Sequence, residues 1–172
     1  ATLGMHTGSF TVTRPSIGAW VSYGLGTENQ NLPSFIVIAP HSPYAGGQVW
    51  GSDFLPGAHQ GTRVVPGSNP VPNITPRVSG KLQELELAAL RRRNQQHLVR
   101  QPGNPELAVR MRAFETAFGM QMAVPEAFDF TRETDATHEL YGLKPGQNDG
   151  FGWQCLAARR LAERGVRFIE LI

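Results

Sequence analysis

Cysteine is nearly absent: Cys155 stands alone among 172 residues, so no disulfide forms within the chain. Its place on the apolar face of a predicted helix points to a buried, inert thiol rather than a nucleophile. Long apolar runs are missing too, none approaching the roughly 20 residues that a bilayer-crossing helix needs, so no membrane span is expected. Charge of either sign is modest. Sixteen Lys and Arg against 14 Asp and Glu leave +2, with the arginines dispersed among carboxylates, which argues against a nucleic-acid partner. No Walker-type phosphate loop occurs, and Gly150-Phe151-Gly152 follows no strand and lacks the third glycine of a dinucleotide fingerprint. His41, Asp53 and His59 are metal-ligating residue types, but their separations match no compact ligand motif.

What is present is a helix-then-strand unit at each end. Near the start, Thr13 is a candidate N-cap and Pro15 suits the first helical turn, where its missing N–H costs nothing. Ile17, Trp20, Val21 and Leu25 fall on one helical face, and Gly24 and Gly26 end the helix. Ser34 to Ala39 is a short uninterrupted apolar run, as expected of a strand covered on both faces of a parallel sheet. At the other end, Asp149 is the predicted N-cap of a helix over 150–164 with Trp153, Leu156, Ala157 and Leu161 inward. Gly165 supplies its left-handed stop, and the strand 166–172 follows. Such units predict an α/β fold with a partial, mostly parallel sheet and flanking helices. Two strands are too few for a stable sheet. The chain is therefore expected to be an internal fragment of a larger α/β domain, with the missing flanking parts of that domain as its partners.

Between these units, residues 1–8 suit the last turns of a helix stopped by Gly8, and His6 there is expected at the surface or capping the helix end. The segment 41–76 is rich in Gly and Pro, with GTRVV and VVPG suggesting an edge hairpin. Residues 79–100 and 104–123 predict two helices forming an inserted hairpin over 79–123. Leu82, Leu85, Ala89 and Leu98 would point inward on the first. The second would be started by Asn104, Pro105 and Glu106 and striped by Leu107, Met111, Phe114, Phe118 and Met122. Val124-Pro125 is predicted to end it. A short helix over 133–141 follows, with Leu140 and Tyr141 inward. His138 and Glu139 are adjacent on it and diverge by about 100°, which makes them poor catalytic partners.

Ligands of open parallel sheets bind outside the carboxyl ends of the strands, which places a crevice along the segment leaving Ala39. His41, Gln48, Asp53 and His59 are the candidate substrate-binding side chains there, with Glu170 behind them in the last strand. Ordinary loop chemistry is the competing account: Asp53 in a turn, His41 and His59 solvated, Tyr44 and Trp50 pinning the loop. Glu170 sits among apolar neighbours and needs a partner or a polar crevice.

The stretches MHTGSFTVTRPSIGAWVSYGLGTENQNLPSFIVIAP, WGSDFLPGAHQGTRV, FETAFGMQ, RETDATHELYG and GFGWQCLAARRLAERGVRFIELI together resemble the sulfatase-like proteins catalogued as domain of unknown function 1501, in the alkaline-phosphatase superfamily. The resemblance covers nearly the whole chain. It implies an α/β core and, in the parent protein, a divalent metal (zinc or calcium) that polarises a small sulfate or phosphate ester for hydrolysis. It also implies a nucleophile at the start of a helix ending in Thr-Gly. If Thr7-Gly8 is that pair, the nucleophile falls upstream of Ala1 and the metal ligands fall outside the chain, so no catalytic residue and no cofactor is expected within it and the segment alone is expected to be inactive. Periplasmic or extracellular export is implied by the resemblance only. The alternatives are a non-catalytic ligand-binding or structural member of the same fold, or an interaction module built on the helical hairpin.

Overall fold

A computed structural model describes residues 2–76, 78–100 and 105–172. In chain order the elements are α1 (Thr2–Thr7), α2 (Ile17–Leu25), β1 (Phe35–Ile38), β2 (Thr62–Val64), α3 (Gly80–Arg100), α4 (Pro105–Phe128), α5 (Asp135–Leu140), α6 (Gly150–Glu163) and β3 (Phe168–Leu171), with 3-10 turns at Gly46–Trp50, Gly57–His59 and Phe130–Arg132. The fold is α/β. Its three strands are all parallel in the order β2-β1-β3. No described helix is long and apolar enough to cross a membrane.

β1 is central, and all four of its side chains are buried. Alternation sends Ile36 and Ile38 to one face, where with Val64 they meet Met120, Val124 and Ala127 of α4 and Trp153, Leu156, Ala157 and Leu161 of α6. Phe35, Val37 and Ala39 face the other way, against Val49 and Trp50, with Leu3, Phe168 and Ile172 at the margin. Phe35 stands opposite Phe168 in register, and the two rings meet edge to face at 5.4 Å.

β2 corrects the hairpin expected around GTRVV. It joins β1 in parallel, Ile36 to Thr62 and Ile38 to Val64, and the chain then turns away as Val65 N–H donates to Pro70 O. Its entry requires Gly61, where a Cβ would stand 2.9 Å from Phe35, Trp50 and Val37.

α2 inverts the expected face. Its N-cap is Ser16 rather than Thr13, and its buried residues are Gly18, Ala19 and Ser22, whereas Ile17, Trp20 and Leu25 are exposed. Small residues let the helix axis approach the sheet: a Cβ on Gly18 would lie 2.3 Å from the Phe35 ring. Trp20 instead packs edge-on against Phe54 and Tyr23 on the outside.

The central helices also depart from their predicted stripes. α3 has no buried residue, and Leu82, Leu85 and Ala89 lie exposed. α4 runs through Pro125 to Phe128 instead of stopping before it. Proline removes one N–H from the ladder, but Val124 and Ala127 on either side are buried against α6 and keep the turn helical. Phe114 and Met122 are exposed, while Met120 takes the inward position. Asn104 lies outside the described residues. In α5 the cap is Thr134, which accepts from Thr137 N–H, and Leu140 is exposed rather than inward.

α6 matches its predicted stripe, and Gly165 closes it with φ 82°. Asp149 precedes it without a side-chain capping bond, and Cys155 is only partly buried. The helix also buries Arg160, whose guanidinium contacts Glu133 and donates to the carbonyls of Ala127 and Glu126 at 2.8 Å each. Arg159 holds the other oxygen of Glu133 at 2.6 Å. That Arg159 bond, with Arg160 adding to it, keeps the Glu133 carboxyl below its ordinary range against the opposing effect of burial. The end of α4 is thereby fastened to α6.

The close approach of α2 makes a directional prediction. Gly18→Val should destabilise the chain by about 1–3 kcal/mol, because the Phe35 ring cannot retreat from a full core. Gly24→Ala on the same helix meets open space and should stabilise by about 0.5–1 kcal/mol. Urea denaturation of the two variants checks both signs.

Candidate functional site

The carboxyl ends of all three strands share one edge of the sheet, where open α/β folds hold ligands. The segment leaving β1 is fixed there by Arg63 of β2, a residue that sequence reasoning passed over. Its Nε donates to Ala39 O at 3.1 Å, its Nη2 to Ala39 O and Pro40 O at 3.0 and 3.3 Å, and its Nη1 to Ser42 Oγ at 3.0 Å. One planar fork thus holds three polar groups on either side of His41 in this turn. An arginine within the strand-forming run TRVV was the available signal, since a cation beside a buried strand needs acceptors.

The predicted side chains spread over this region rather than converging. His41, Gln48 and Asp53 are exposed. Asp53 has φ 42°, a left-handed turn position that Asp tolerates. Tyr44 is fully exposed and pins nothing, whereas Trp50 is buried and does. His59 is half-buried rather than solvated: its Nδ1 lies 2.9 Å from Ser22 Oγ, which lies 2.5 Å from Ser34 Oγ, and its ring meets Tyr23 edge-on at 5.3 Å. Burial lowers the His59 pKa below its ordinary value. Ser22 and His59 have the reach of a nucleophile and base, but Ser22 is completely buried, so no ester reaches its Oγ.

Glu170 has a definite partner. It stands opposite Val37 in register and its Oε1 contacts Nδ1 of His6, in the last turn of α1. His6 is therefore neither a free surface residue nor a simple cap. The second carboxylate oxygen, Oε2, is buried with no partner among the described residues. Burial raises the Glu170 pKa, and the neighbouring His6 opposes that rise without cancelling it. The sequence signal was the carboxylate inside FIEL; its partner lies 164 positions away, beyond any local pattern.

Among the described residues, no group of three or more His, Cys, Asp or Glu side chains is placed to hold a metal ion. On the opposite face of the sheet a cleft of about 1030 Å³ opens between the loop after β2, the end of α4 and the segment before α6. None of the five predicted site residues lines it.

Because the fold raises the pKa of Glu170, its contribution to stability is complete below the ordinary value of 4.5 and is lost as pH rises through the raised one. Glu170→Gln removes that loss. Relative to the parent chain, the variant should therefore gain stability as pH rises from about 4 to 8. Chemical denaturation across that range measures it, and a pH-independent difference would show that Glu170 is not held in a raised state.

The family described as "Protein of unknown function (DUF1501)" matches residues 1–172. No curated protein and no solved structure matches the chain.

Proposed function

Since the chain belongs to the DUF1501 family along its whole length, we propose that it forms the sheet, the helical pair and one wall of the crevice in a metal-dependent hydrolase of sulfate or phosphate esters, of the alkaline-phosphatase type. The observation that carries this reading is the placement of α1. The helix that ends in Thr7-Gly8 is tied through His6 to Glu170 near the carboxyl end of β3, at the edge where such folds keep their reactive groups.

In this reading the His6–Glu170 contact sets the distance of α1 from the sheet. A metal would polarise the ester oxygens and stabilise charge on the attacking and leaving groups. The described residues do not fit that role: they assemble no three-ligand group, and their close His–carboxylate pair is engaged with itself. What this chain supplies is position: Arg63 fixes the crevice turn, and His6 with Glu170 fixes α1.

The complete natural protein should hydrolyse an aryl sulfate or aryl phosphate with added zinc or calcium and lose that turnover to a chelator. The 172-residue chain should show none. Absence of turnover by the complete protein with every ester and metal would overturn the hydrolase reading in favour of a non-catalytic ligand-binding member of the fold.

A further inference from the structure

The cleft on the α4/α6 face is separate from the edge occupied by His6 and Glu170, and its lining has a distinct chemistry. Buried Phe130 and Trp153 form its floor, with half-buried Phe128 stacked on Trp153 at 5.5 Å and an interplanar angle of 5°. Its volume of about 1030 Å³ accommodates a small organic molecule.

The walls carry acceptors. Asp135 and Glu139 lie four residues apart on α5 and share a face. Both are exposed, both line the cleft, and neither forms an ion pair among the described residues. Asp129 adds a third carboxylate, hydrogen-bonded to Thr131 and partly offset by Arg132. Glu133 also lines the cleft, but both its oxygens are taken by Arg159 and Arg160. Between the two free acids on the helix sits His138, whose Nε2 lies 3.2 Å from Phe130 O. A carbonyl only accepts, so Nε2 carries the proton; in the neutral ring Nδ1 is then an acceptor, and it is buried without a partner among the described residues. Lys144 is the one cation in the lining among the described residues.

We propose that this cleft binds an organic cation, an ammonium group on an aromatic or branched apolar body, with the body against the aromatic floor and the charge at Asp135 and Glu139. The carboxylates give complementary potential to an ammonium and repel a sulfate or phosphate ester. The aromatic floor adds apolar burial for the body of the ligand, while the Phe130 ring already carries the Arg160 guanidinium at 5.7 Å. The site is independent of ester hydrolysis and stands or falls on binding alone.

Titration calorimetry of the complete natural protein with 2-phenylethylammonium, and separately with 2-phenylethanesulfonate, tests it. The ammonium should bind, more weakly as salt is added, and the sulfonate should not. Glu139→Lys combined with Asp135→Asn should weaken the ammonium by about tenfold or more, and Lys144→Glu should strengthen it severalfold. All three positions are exposed, and an unchanged thermal midpoint confirms the fold of each variant. Lys144→Glu also reads in the direction of gain, which a misfolded variant cannot mimic. Equal affinity for the two probes, no ammonium binding at about 10 mM, or an affinity indifferent to both charge changes would overturn the proposal.

Discussion

A strand of four residues with no exposed side chain dictates the architecture around it. Phe35 to Ile38 has a neighbour on each edge and an apolar layer on each face. Parallel strands connect only through crossovers, and their backbone groups pair only within the sheet, so both faces must be covered by whatever the crossovers carry. One face receives α4 and α6 with large aliphatic and aromatic side chains. The other receives α2 through Gly18, Ala19 and Ser22. The first layer fills space with side chains, and the second nearly eliminates them so that helix backbone and Phe35 come together. Both solutions remove β1 from water, but only the first is visible as an apolar stripe.

That difference explains which parts of the fold were legible beforehand. α6 and β1 follow the usual correspondence between apolar period and buried face, because large side chains fill the space between them, whereas β3 lies at the sheet edge and is only partly buried. α2 fails it, because the residues that enter the sheet are glycine, alanine and serine and the larger ones are displaced outward into an aromatic cluster of Trp20, Tyr23 and Phe54. β2 was expected as a hairpin arm rather than a parallel edge, because three residues carry too short an alternation to distinguish the two. Pro125 signals a helix end locally, yet packing of Val124 and Ala127 against α6 outweighs that preference.

Of the candidate site, sequence revealed residue type but not company. Glu170 was recognisable as a carboxylate that needed a partner, and only tertiary structure brings His6 to it. His59 carried the same ambiguity, and it resolves into a hydrogen-bonded support under α2 through Ser22. His41, Gln48 and Asp53 are polar residues on a Gly- and Pro-rich segment; their exposure is what such a segment permits, and nothing in the described structure draws them together. Arg63 was the opposite case, a charged side chain in an apolar run: it satisfies the carbonyls of Ala39 and Pro40 just past the end of β1, before the chain reaches water.

Buried charge is rationed between two roles across the sheet. On the α4/α6 face, Arg159 and Arg160 neutralise Glu133 completely, with each carboxylate oxygen and the Arg160 fork satisfied. A carboxylate so committed has no acceptor left for a ligand, which leaves Asp135 and Glu139 on α5, without an ion pair among the described residues, as the free acids of the cleft. On the α1 face the compensation is incomplete: Glu170 has one oxygen against His6 and one buried without a donor among the described residues. An unsatisfied buried acceptor costs about 1–3 kcal/mol, and β3 retains it where His6 of α1 reaches the sheet. The two faces therefore differ in kind. One commits its buried charge to fastening helices together and presents acids to solvent, while the other keeps a partly satisfied carboxylate at the junction of a helix and a strand end.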